Sequence, residues 1–156
     1  MPNIRLPKQT QRHTQLAIFY GVILFVWLTT ENASMVVVSV LGLGAALGIT
    51  GLSVVHWWGG QTYPIKIWLP SVVALGIIVG LGATGATFLL MMFKNVQHSH
   101  VVADYPWESV TDMLTRGPAW MVAGGLLGAA VGLGIVARGV SMGQEMVADG
   151  HTEPLT

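Results

Sequence analysis

The chain has 156 residues, of which 53% are hydrophobic and only 9% are charged. Soluble domains carry roughly a quarter charged residues, because a surface in water needs them. The composition therefore excludes an ordinary soluble domain and indicates that lipid is the main solvent. Seven basic and seven acidic residues leave no net charge, so nothing attracts nucleic acid electrostatically. The lack of cysteine excludes disulfides, thiol nucleophiles and cysteine-ligated clusters.

Four stretches are apolar and long enough for transmembrane helices, which need roughly 20 residues each. They cover residues 14–30, 33–56, 67–93 and 118–138. Between their ends they contain no Asp, Glu, Lys or His. The sequence therefore predicts an all-α integral membrane protein, a single four-helix domain over residues 14–138. A segment of 13 residues precedes this domain, and residues 139–156 form a tail.

A cleaved signal peptide is the alternative interpretation of the first stretch, because basic residues precede it. Cleavage after Ala33 would need a small residue where Glu31 stands. The stretch is therefore interpreted as a membrane anchor.

Basic residues predict the orientation of the bundle, because they concentrate on the cytoplasmic side. The side holding both termini and the loop at 57–66 carries five of them: Arg5, Lys8, Arg12, Lys66 and Arg138. The other side carries Lys94 and Arg116. This bias predicts cytoplasmic termini in an inner or plasma membrane. Tryptophans near the boundaries agree, with Trp57, Trp58 and Trp68 at the inner interface and Trp27, Trp107 and Trp120 at the outer one.

Glycines are concentrated in the last three stretches, where they let membrane helices approach closely. Three helix-packing stripes are predicted: Gly44, Gly48 and Gly51 in the second stretch, Gly76 and Gly80 in the third, and Gly124, Gly128 and Gly132 in the fourth. Two uses stay open, packing within one chain and packing against another subunit. For contact with another chain, the fourth-stretch stripe is the first choice. The first stretch is bulky and has Gly21 as its only glycine, which indicates a peripheral helix.

The external loop at 94–117 is the only long polar segment between the stretches. Its second half, at 106–116, has the pattern of a short amphipathic helix lying at the membrane interface. We expect Trp107, Val110 and Leu114 on the apolar side of this helix.

Histidines provide the candidate ligands of the chain. His98 and His100, with Asp104 four residues on, have a spacing that could hold a metal ion, although such histidines are also common in solvated loops. His56 at the end of the second stretch is a candidate axial ligand for a haem or pigment, with an interfacial, hydrogen-bonded histidine as the alternative. The sequence predicts no bound cofactor.

No nucleophile–base pair and no phosphate-binding loop is evident, so an enzyme is not expected. The favoured hypothesis is a non-catalytic membrane scaffold or accessory subunit, which packs through glycine-rich faces into a homo-oligomer or a larger complex in the bilayer. One alternative is a small channel or transporter with an uncharged path lined by Ser39, Thr50, Ser53, Ser71, Thr84 and Thr87. Another is a metal- or pigment-binding membrane protein that uses the histidines above.

Overall fold

The computed structural model describes residues 3–5, 11–30, 34–97 and 104–149, and these ranges form five helices and one small sheet. The helices are α1 (Gln11–Thr29), α2 (Met35–Trp58), α3 (Ile65–Gln97), α4 (Trp107–Thr115) and α5 (Gly117–Asp149). Strands β1 (Asn3–Arg5) and β2 (Thr62–Pro64) pair antiparallel, with Ile4 opposite Tyr63. The sheet therefore holds β1 beside the connection from α2 to α3.

Three of the described helices are long and apolar enough to cross a membrane: α2, α3 from Lys66 onward, and α5 as far as Ala137. These correspond to three of the four predicted stretches. Helix α1 is a shorter apolar helix with its apolar part at His13–Thr29. Its 19 residues extend about 28 Å, just under the roughly 30 Å of a hydrocarbon core.

Helix α5 is longer than predicted. It continues from the predicted boundary at Arg138 to Asp149, about three further turns at 3.6 residues per turn. Residues 139–149 of the expected tail are therefore helical, and residues 150–156 lie outside the described ranges. No proline or β-branched run interrupts this segment, whose alanine, methionine, glutamine and glutamate are good helix formers.

Helix α3 is the centre of the bundle, and α2 and α5 pack against it. Its closest approaches to α5 lie in its first half, where Gly76 meets the backbone of Gly124 and Gly80 meets the carbonyl of Trp120. Its closest approaches to α2 lie in its second half, where Gly42 of α2 meets Thr87. Small residues at each crossing let the backbones come into contact, as expected for membrane helices.

Helix α1 is peripheral, as the sequence predicted. Most of its large apolar side chains are exposed, including Leu16, Phe19 and Phe25. Contact with α2 is made by the Tyr20 ring against Gly44, and the Tyr20 hydroxyl donates a hydrogen bond to the carbonyl of Leu41. The last two turns of α1 supply the buried Trp27 to the core.

Helix α4 lies at the end of the bundle where α3 ends and α5 begins, and it packs on both. Its buried side chains are Val110 and Met113. Trp107 and Leu114 are exposed, so Val110 and Met113, three residues apart, form the face that packs on the bundle. That Trp107, Val110 and Leu114 lie on the apolar side of a helix at the membrane interface stays a prediction.

Candidate functional site

A buried charged cluster lies where α1, α3 and the segment before α4 meet; we call it the Lys94 cluster. It consists of Lys94, Asn95, Trp27, Asp104 and Tyr105. The Lys94 side chain is fully buried, and its Nζ lies 4.3 Å from the centroid of the Trp27 ring. The charge of the Asp104 carboxylate acts on Lys94. A ring face on one side and a carboxylate charge nearby offset the cost of removing the ammonium group from water.

Asn95 ties the segment before α4 to the end of α3. Its amide group donates to the carbonyl of Tyr105 at 2.8 Å and accepts from the N–H of Tyr105 at 2.8 Å. The Asn95 amide thus makes the two backbone hydrogen bonds to Tyr105 that a residue of a neighbouring β-strand would make. These two bonds hold Tyr105 against the core, where it is 1% exposed.

Burial and the neighbouring Asp104 carboxylate raise the pKa of Tyr105 to about 12. The phenol therefore stays protonated at physiological pH. Among the described residues, neither the Tyr105 hydroxyl nor the indole N–H of Trp27 has a hydrogen-bond partner. Tyr105 is therefore not expected to exchange protons near neutral pH, and the Lys94 cluster brings three segments of the chain together.

An apolar cleft opens between α1 and α2. It has a volume of about 690 Å³ and extends along α1 from His13 to Leu24 and along α2 from Gly44 to Leu52. The two helices touch where Tyr20 lies on Gly44, and Trp27 and Val38 belong to one buried cluster beyond that point. At Gly48 and Gly51 no atom lies within 4 Å of an added Cβ. The cleft is therefore a wedge, closed toward Trp27 and open toward His13.

The outer side of α5 carries a second stripe of small residues. Its members are Ala119, Ala123, Ala130 and Gly134, and all four are exposed. Their spacings of four and seven place them on one face of a helix. Exposed Leu126 and Leu127, each 68% exposed, flank the stripe. This outer stripe lies opposite the glycines that pack on α3.

The predicted metal ligands are only partly within the described residues. His98 and His100 lie outside them, so their proposed site with Asp104 has no described geometry. Asp104 itself belongs to the Lys94 cluster. Within the described ranges, no group of three His, Asp or Glu side chains is arranged to hold a metal ion. His56, the candidate axial ligand, is exposed at the end of α2.

The predicted glycine stripes have different surroundings in the structure. Those of α3 and α5 face each other: Gly76 meets Gly124, Gly128 meets Val72, and Gly132 meets Leu69. The α5 groove, the first choice for contact with another chain, is thus occupied by α3. On α2 the stripe of Gly44, Gly48 and Gly51 faces α1 and the open cleft. The α2 face that packs on α3 is instead Val38, Gly42 and Ala46.

The Lys94 cluster was not predicted from the sequence. The sequence predicts Lys94 as a basic residue of the outer side and Trp27 as a marker of the outer interface, yet Lys94 is fully buried and Trp27 is only 6% exposed. One signal was available: Trp27 lies in the last turn of an apolar helix, and Lys94 and Asn95 directly follow a long apolar run. Sequence spacing alone does not bring these positions together, since 67 residues separate Trp27 from Lys94.

The chain matches no protein-family model, and comparison with curated proteins and with solved structures finds no similar protein.

Proposed function

We propose that the chain is a four-pass integral membrane protein that serves as a non-catalytic scaffold or accessory subunit, assembling with other chains through the outer stripe of α5. Three helices have the length and apolar character for crossing a bilayer. Helix α1 is proposed as the fourth crossing, because it runs antiparallel beside α2 and lacks charged residues between His13 and Thr29. Both termini are proposed to be cytoplasmic.

The observation that carries the assembly proposal is that α5 has small residues on two opposite faces. The inner face packs on α3 through Gly124 and Gly128. The outer stripe has two pairs of small residues at a spacing of four, Ala119 with Ala123 and Ala130 with Gly134, and all four are exposed. Lipid gives helices no hydrophobic reason to associate, so small residues that allow close backbone packing are what promote contact between them.

Hydroxyl groups in the spans support a scaffold over the alternative of an uncharged pore. Thr84 and Thr87, which are buried, donate to the carbonyls of Gly80 and Ala83 in their own helix. Three serines do the same, four residues back along the helix: Ser39 to Met35, Ser53 to Ile49 and Ser71 to Ile67. A hydroxyl engaged with its own backbone is less able to coordinate a passing solute.

The test is the mass of the native particle in lipid nanodiscs. We expect the wild type to contain more than one 16.6 kDa chain. The double variant Ala123→Leu and Ala130→Leu should be monomeric, because the added side chains keep a neighbouring backbone away. Ala74→Leu is the matched control, since Ala74 is also exposed but lies on α3. A monomeric wild type would contradict the assembly proposal, as would a double variant with unchanged mass.

A further inference from the structure

The cleft between α1 and α2 has the size and lining of a ligand site. Binding pockets for small molecules occupy roughly 300–1,000 Å³, and this cleft has about 690 Å³. Its walls are almost entirely apolar: Leu16, Ile23 and Leu24 come from α1, and Leu47 and Leu52 from α2. The hydroxyl of Tyr20 is directed to the carbonyl of Leu41. The lining therefore favours hydrocarbon for the part of a ligand that lies within the cleft.

The shape of the cleft distinguishes between two hydrocarbon occupants. A helix of a second chain is a rigid cylinder about 10 Å across, and it needs a groove that is open along its whole length. Here the Tyr20 ring touches Gly44 and closes one end, while Gly48 and Gly51 leave the other end open. A flexible acyl chain can enter such a wedge from the open end and follow its taper.

Basic residues near the open end of the cleft indicate that the headgroup of the lipid is anionic. His13 lines the cleft there, and Arg12 precedes it in the first turn of α1. Residues 1–30 include Arg5 and Lys8 and contain no Asp or Glu. Lys66, exposed at the start of α3, belongs to the same end of the bundle. Basic residues at a membrane surface attract anionic lipids, which are enriched in the cytoplasmic leaflet.

We propose that the cleft between α1 and α2 binds one acyl chain of an anionic phospholipid, with the headgroup at the His13 end. This inference rests on the proposed insertion of the chain in a bilayer, but not on its assembly with other chains. The lipid fills the wedge that α1 and α2 leave between them, and it thereby joins a peripheral helix to the rest of the bundle.

The test counts lipids that stay bound per chain, by native mass spectrometry of protein released from nanodiscs of phosphatidylcholine and phosphatidylglycerol. The wild type should retain one phosphatidylglycerol per chain. Gly48→Leu and Ala17→Leu fill the cleft from its two walls, and each should lower that retention about tenfold, because several methylene contacts are lost. Gly85→Leu adds the same side chain at an open position of α3, away from both the cleft and the outer stripe, and should retain the lipid.

A second arm tests the headgroup. Changing Arg12→Glu and His13→Glu together should abolish the preference for phosphatidylglycerol over phosphatidylcholine, while an acyl chain stays bound. Retention that is unchanged in both Gly48→Leu and Ala17→Leu would overturn the proposal. So would a Gly48→Leu variant that alters the number of chains and not the lipid count, since a second copy would then occupy the cleft.

The outcomes also separate this inference from the proposed function. A monomer that retains the lipid contradicts the assembly proposal alone. A wild type that assembles without the lipid contradicts the present proposal alone. Extraction of the protein from membranes by alkaline carbonate would contradict both.

Discussion

At the scale of single residues, we expect Lys94 to contribute to stability through its buried ammonium group. It is fully buried, and the Trp27 ring and the Asp104 carboxylate stabilise its charge. Because Trp27 is on α1 and Asp104 precedes α4, this one ammonium group links three segments. We expect Lys94→Met to lower the free energy of unfolding by about 2–4 kcal/mol, because the cation–π contact is lost and the carboxylate loses its counter-charge.

Denaturant titration in mixed micelles, followed by circular dichroism, measures this loss. Lys66→Met is the matched control, since Lys66 is exposed, and its stability should stay within about 0.5 kcal/mol of the wild type. Adding Asp104→Asn to Lys94→Met should restore part of the loss, because it removes the remaining charge. Equal stability of Lys94→Met and the wild type would mean that the cluster does not hold the segments together.

The environments of Lys94 and Trp27 could not be predicted from the sequence. A lysine after an apolar run is typical of a membrane boundary, and a tryptophan at a helix end is typical of the interface. Both interpretations are local. Lys94 lies against the ring of Trp27, which is distant in sequence. It also interacts with the charge of Asp104, whose neighbour Tyr105 is held by Asn95. Local sequence patterns do not predict that α1, the end of α3 and the segment before α4 pack together.

At the scale of helices, backbone contact between α3 and α5 depends on glycine. A Cβ added at Gly128 would lie 2.5 Å from the carbonyl oxygen of Val72, so the helices would have to separate. We expect Gly128→Ala to destabilise the protein by about 1–3 kcal/mol, the usual cost of an overpacked contact. Gly134→Ala on the same helix meets no atom within 4 Å and should be neutral or stabilising. Thermal unfolding of the two variants compares them, and equal effects would contradict a backbone contact at Gly128.

For the helices, the sequence allowed the apolar stretches and the packing glycines to be identified. It did not show which neighbouring helix each glycine stripe contacts. Gly76 and Gly80 were expected to pack, and they meet α5. On α2 two stripes have helical spacing, Gly42 with Ala46 and Gly44 with Gly48. Periodicity does not distinguish them, since both would allow close packing. The choice of Gly42 and Ala46 for α3 depends on where Ala83 and Thr87 lie on the facing helix.

At the scale of the whole molecule, the ends of the bundle differ in their number of basic residues. The end with α4 includes Lys94 and Arg116. The opposite end includes Lys66 at the start of α3, Arg12 at the start of α1, and Arg5 on strand β1, which pairs with β2 there. From the rule that basic residues stay on the cytoplasmic side, we expect the α4 end to face outward and, if α1 crosses the bilayer, both termini to lie inside.

Single cysteines test this orientation directly, because the chain has none of its own. We expect cysteines at Gln9, Gln61 and Met146 to resist an impermeant thiol reagent in intact cells, and one at Ser99 to react. After the cells are permeabilised all four should react, which is the control for accessibility. Labelling of Gln9 together with protection of Gln61 would place these two residues, and with them β1 and β2, on opposite sides of the membrane. That outcome would mean that α1 does not cross. Labelling at Gln9, Gln61 and Met146 with protection at Ser99 would instead keep four crossings and reverse the orientation.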